Sequence, residues 1–127
     1  MSRRIAIDVH AAPPSKDGAK SIRSHAHRDA GKVEALREAV RKALTASAPI
    51  EGRPVRMVMH YRRGAGKADA LNAINGVADI IQRRCHDVSH DCGVWLIDDD
   101  ANIREFHYTE KPALTDSYEI TVEVLEA

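Results

Sequence analysis

Polar and apolar residues alternate in "RRIAIDVH", residues 3–10, and put Ile5, Ile7 and Val9 on one side. A period of two marks a strand with one buried face. The following "AAPPSKDGAKSIRSHAHRD" breaks both periods with Pro13, Pro14 and Gly18, and carries Lys16, Lys20, Arg23 and Arg28. It reads as a basic loop, and connections of about 20 residues are commonly functional or disordered. From Asp29, a candidate N-cap, "GKVEALREAVRKALTA" spaces Val33, Leu36, Val40 and Leu44 for one helix face. Pro49 and Gly52 close that unit. "PVRMVMHY" alternates again, with Val55, Met57, Met59 and Tyr61 on one face, and "RRGAGK" is a basic turn.

In "ADALNAINGVADIIQRR", Leu71, Ile74, Val77 or Ala78, and Ile81 form an apolar stripe. Asp69, Asn72, Gly76, Asp79 and Arg83 lie opposite, which predicts an amphipathic helix with Asp69 in its first turn. "CHDVSHDCG" is a polar loop. An apolar run, Val94 to Ile97, leads into Asp98, Asp99 and Asp100. "NIREFHYTE" and "DSYEITVEVLE" read as the last two strands, the second with Tyr118, Ile120, Val122 and Val124 inward. The order is β-α-β-α-β-β. Two amphipathic helices covering one face of a mixed sheet give an α+β domain, here a single one over residues 1–127.

Composition adds three constraints. The chain of 127 residues is long enough to bury a core without disulfides. Its two cysteines, Cys85 and Cys92, are too few for a disulfide framework, so a reducing cytoplasm is the default compartment. The start, "MSRRIAIDVHAAPP", is broken by Asp8 and His10 and resembles neither a signal peptide nor a membrane span. The net charge of zero conceals an asymmetry. Residues 1–84 hold 17 Lys and Arg against 8 Asp and Glu, while residues 85–127 hold 2 against 11. Such a split fits a polyanion-binding face, or two halves that neutralise each other on folding.

Candidate chemistry falls at two places, "YRRGAGKADALN" and "DDDAN". Adjacent carboxylates raise the cost of ionising one another, and a divalent cation offsets that cost. Carboxylates held close together on element ends could bind Mg²⁺ or Mn²⁺, with Arg62, Arg63 and Lys67 on phosphate. The plainer reading makes Asp69 a helix cap and the triplet a solvated turn. "GAGK" lacks the spacing of a phosphate-binding loop. Cys85, His86, His90 and Cys92 are possible zinc ligands without the usual paired spacing, so a polar loop is the alternative. His25 and His27 read as phosphate contacts or solvent-facing residues.

Over nearly its whole length the chain resembles the RusA-type Holliday junction resolvases, phage-derived endonucleases that cut four-way DNA junctions. The likeness runs through "IAIDVHAAPPSK", "KVEALREAVRKAL", "PVRMVMHY", "RRGAGKADALN", "AINGVADII" and "GVWLIDDDANI", in that order. Asp69 matches the first motif aspartate, Asn72 the motif asparagine and Asp79 the later helix aspartate. Asp99 and Asp100 match the Asp-Asp pair, with Asp98 an extra residue. The second motif aspartate is replaced by Leu71, and the motif lysine by Asn75.

The resemblance implies a Mg²⁺- or Mn²⁺-dependent, structure-selective endodeoxyribonuclease of DNA recombination and repair. Asp69 and Asp100 would be catalytic, Asp69, Asp99 and Asp100 metal ligands, and Arg62, Arg63 and Lys67 nucleic-acid contacts. It also implies a homodimer on a two-fold junction, for which the strand at Arg3 to Val9 or the one at Tyr118 to Leu125 could supply the contact. Leu71 and Asn75 give the alternative: a RusA-like homodimeric nucleic-acid-binding module that lost turnover. A protein-interaction domain is a third reading, since few aromatics are present for base stacking.

Overall fold

A computed structural model describes residues 3–15, 30–83 and 94–125. Its elements are β1 (Arg4–Val9), α1 (Ala30–Ala43), β2 (Val55–Arg63), α2 (Ala70–Ile81), a short 3₁₀ turn (Asp100–Asn102), β3 (Ile103–Pro112) and β4 (Ser117–Val124). The architecture is the expected α+β one, a four-stranded mixed sheet with two helices. The strand order is β1-β4-β2-β3, with β4 antiparallel to both neighbours and β2 parallel to β3.

The period-two residues account for the core. Ile5 and Ile7, Met57 and Met59, and Ile120 and Val122 all bury on one sheet face. Val33, Leu36 and Val40 of α1 meet them there, α1 lying over β1 and beside α2. Leu44, past the helix end, packs against the same core. The apolar run before the aspartates is not a strand. Ile97 bridges Ile50 and Gln82, Leu96 N–H donates to the Ile81 carbonyl (2.8 Å), and Ile50 N–H donates to the Leu96 carbonyl (2.8 Å). A carbonyl left open at the end of α2 is thereby satisfied.

The buried face of α2 differs from the predicted stripe. Ala73, Gly76, Val77, Asp79, Ile80 and Ile81 are buried, while Leu71 is 71% exposed. Two small residues of the helix, Ala73 and Gly76, turn inward, and the buried Asp79 accepts a hydrogen bond from Gln82.

The other sheet face is polar. Arg56 bridges Glu105 and Glu123, and Arg62 bridges Asp8 and Glu119. β4 is paired on both sides, so of the two strands considered for a dimer contact only β1 is a sheet edge. Among the described residues no helix is long and apolar enough to cross a membrane.

The connection between β3 and β4 fixes the geometry of one end. These strands flank β2, so residues 113–116 must cross two strand spacings, about 10 Å, over the end of β2. Ala113 N–H donates to the Arg63 carbonyl at 2.9 Å as the chain crosses. A Cβ on Gly64 would lie 2.8 Å from the Thr115 carbonyl carbon, and one on Gly66 would overlap the Tyr61 hydroxyl. Two glycines in "RRGAGK" are therefore demanded by the close approach of two turns.

Candidate functional site

The three adjacent aspartates face three different partners. Asp98 Oδ2 accepts from Gly52 N–H (3.1 Å) and its Oδ1 from Asn102 Nδ2 (3.0 Å). Asp99 Oδ1 accepts from Ala101 N–H (2.9 Å) and caps the 3₁₀ turn. Asp100 is held through its main chain, whose N–H donates to Gln82 Oε1 (3.2 Å). Gln82 Nε2 in turn donates to Asp79 Oδ1 (3.1 Å). Both Asp79 and Gln82 are buried. Directing the Asp98 and Asp99 carboxylates to separate partners lessens their like-charge crowding.

Asp69 stands at the other end of α2. Its Oδ1 accepts from Asn72 N–H (2.9 Å) and its Oδ2 from Asn72 Nδ2 (3.2 Å), a cap on the first turn. Gln82 is the C-cap of the same helix. About 20 Å of helix rise separates the two caps. A shared Mg²⁺ needs oxygens within about 2.1 Å of it. The structure thus does not gather Asp69, Asp99 and Asp100 around one point, and Asp99 is engaged in its own cap.

No group of three or more His, Cys, Asp or Glu suited to a metal occurs among the described residues. A smaller donor set is compatible with Mg²⁺, which is commonly held by one or two carboxylates and completed by water. Gln82 joins the Asp79 carboxylate to the main-chain N–H of Asp100 and so brings these two acidic residues to the same end of α2.

The basic residues divide as well. Neighbours on a strand point to opposite faces, and Arg62 and Arg63 do so. On the open face, Arg62 Nη2 meets Asp8 (3.2 Å), its Nη1 Glu119 (3.2 Å), and its Nε donates to Ser117 (2.7 Å). On the helix side, Arg63 Nε and Nη2 bind Glu110 as a fork (2.8 and 2.9 Å). Its remaining donors reach the carbonyls of Gly66 (2.7 Å) and Ala68 (2.9 Å). The guanidinium also lies 4.7 Å from the Tyr61 ring centre.

No protein-family model matches the chain, and no curated protein matches it. The site has to be read from its own chemistry.

That chemistry makes Arg63 a staple, not an exposed phosphate ligand. It ties the ends of β2 and β3 to the main chain just before Asp69, and so sets where α2 begins. Hydrogen bonds from Arg63 and Tyr108 hold the Glu110 carboxyl down at about 2. Burial and the bond to Glu110 push the Tyr108 hydroxyl up to about 12. Asp116 Oδ1 accepts from the Tyr61 hydroxyl (2.6 Å), Gly64 N–H (2.8 Å) and Gly66 N–H (3.2 Å). Burial alone would raise the Asp116 pKa; these donors bring it below the usual carboxylate value. The basic turn does bind an anion with its amides, and that anion is the chain's own Asp116.

Lys67 remains exposed. Sequence reasoning missed Gln82, Glu110, Tyr108 and Asp116, whose roles depend on strand register and a crossing connection. The spacing of Gly64 and Gly66 was the one available sign of a close approach. The zinc candidates Cys85, His86, His90 and Cys92, the histidines His25 and His27, the cap candidate Asp29 and the cations Lys16 to Arg28 lie outside the described residues.

Proposed function

We propose that the chain is a RusA-like, divalent-metal-dependent endodeoxyribonuclease selective for four-way DNA junctions, acting in recombination and repair. The observation that carries this reading is the bond from the Asp98–Asp100 turn to α2. Through Gln82 it links the main chain of Asp100 to the carboxylate of Asp79, and both residues match carboxylates of the family motif. The ordered run of motifs and the β-α-β-α-β-β framework support the same reading.

In this proposal Asp100 and Asp79 hold the ion, Mg²⁺ or Mn²⁺. When bound, the ion supplies activation of water and neutralisation of a phosphodiester. Gln82 fixes the Asp79 carboxylate and the main chain of Asp100. Asp69 caps α2 and Arg63 anchors its start, so these two position the helix. Lys67 is left for the phosphate backbone.

A second reading is favoured by Leu71, which is 71% exposed at the position of a motif aspartate. In that reading the protein is a RusA-like homodimer that binds branched DNA and does not cut it.

A labelled four-way junction incubated with Mg²⁺, Mn²⁺ or EDTA separates the two. The first reading expects metal-dependent nicking that Asp100→Asn and Asp79→Asn abolish. It expects Asp69→Asn, which keeps a capping side chain, to retain nicking. Salt-dependent binding without nicking, with cutting gained in Leu71→Asp, establishes the second. Absence of junction binding at low salt defeats both.

A further inference from the structure

Leu114 stands on the connection that crosses the end of β2 and is completely exposed, at 101%. Nothing in the core requires an apolar side chain there. The segment carrying it is firmly held. Ala113 is bonded to the Arg63 carbonyl on one side, and Asp116 is gripped by Tyr61, Gly64 and Gly66 on the other. Leu114 is thus presented on a braced support.

The charge around it is one-sided. Arg62 and Arg63 are neutralised by Asp8, Glu119 and Glu110. Lys111, beside Arg62 in the β2–β3 register, and Lys67, just past Gly66, have no carboxylate partner among the described residues. Both cations sit on the turns that carry the apolar tip: Lys111 three residues before Leu114, and Lys67 next to Gly66, whose N–H binds Asp116. Free lysines suit a polyanionic backbone. Leu is also among the residues that DNA-bending proteins insert between base steps as a wedge.

We infer that Leu114 enters the base stack at the branch point of a DNA junction, while Lys67 and Lys111 hold the flanking phosphates. This inference rests on the junction-binding reading above and adds how the branch is recognised.

The test is a four-way junction carrying 2-aminopurine at the branch, titrated with the full chain at low salt in EDTA, so that cleavage plays no part. Wild type is expected to raise the fluorescence several-fold as the base unstacks. Leu114→Ala is expected to bind yet lose that rise, and Leu114→Phe to keep it. Lys67→Ala with Lys111→Ala is expected to lower the slope of log affinity against log salt by about 2. An undiminished rise with Leu114→Ala overturns the wedge and leaves junction binding standing. Failure of wild type to bind the junction overturns the DNA reading itself, and the exposed tip then belongs to another kind of partner.

Discussion

Asp116 Oδ1 accepts three hydrogen bonds, from one hydroxyl and two backbone amides. Asp116→Ala leaves all three donors without their acceptor and is expected to cost about 2–3 kcal/mol in urea unfolding. Tyr118 presents the opposite case. It is wholly buried, and its hydroxyl finds no partner among the described residues. Tyr118→Phe is therefore expected to leave stability unchanged or to raise it by up to about 1 kcal/mol. Glu110 links the network to pH. Its carboxyl is lowered from an ordinary 4.5 to about 2 by Arg63 and Tyr108. Its contribution is thus complete above the ordinary value and is lost as pH falls from there towards 2. Because the pair is partly exposed, the loss is about 1 kcal/mol. Arg63→Met should flatten this acid limb in denaturation curves taken at successive pH values. At this scale the sequence was least legible. Asp98, Asp99 and Asp100 look alike in a string, and only the fold sends one to Gly52, one to its own turn and one to Gln82.

Elements were far more legible, because each strand and helix repeats its signal. The alternation in β1, β2 and β4 marked the buried face correctly, residue by residue. The α2 pattern misled at Leu71, which it scored by hydrophobicity, while Ile74 does pack against the core. Packing chose the helix face that carries Ala73 and Gly76, and the exposed position of Leu71 follows. Leu71→Asp adds a carboxylate to a helix first turn, where the macrodipole favours negative charge. Its thermal unfolding is expected to stay within about 0.5 kcal/mol of wild type. A large loss would mean that Leu71 is covered by something. The start of α2 depends instead on Arg63 and Asp69. Arg63→Lys keeps the charge, but a lysine cannot reproduce the fork on Glu110 while also reaching two carbonyls. A loss of about 1–2 kcal/mol is expected there.

Over the whole molecule, the charge split read from the sequence becomes cross-strand pairing. Arg56 and Arg62, from the basic part of the chain, meet Glu105, Glu119 and Glu123 from the acidic part. The electrostatic surplus expected of a DNA-binding face is correspondingly reduced, leaving Lys67 and Lys111 among the described cations without a carboxylate partner, beside Arg4, Lys42, Arg53 and Arg104. The order of the strands in the sheet was not legible at all, since no local pattern says that β4 lies between β1 and β2. That placement has a consequence for the life of the chain before it is a protein. Among the described residues β1, the first of these four strands to be made, has its sheet partner only in β4, the last of the four. During synthesis β2, α2 and β3 can associate while β1 waits, its apolar residues exposed until the final strand emerges. A chain ending at residue 116 is expected to yield no cooperative unfolding transition and to aggregate on expression. The four-stranded sheet therefore closes only once β4 has been made, and a chain stopped short of it keeps no half-built sheet.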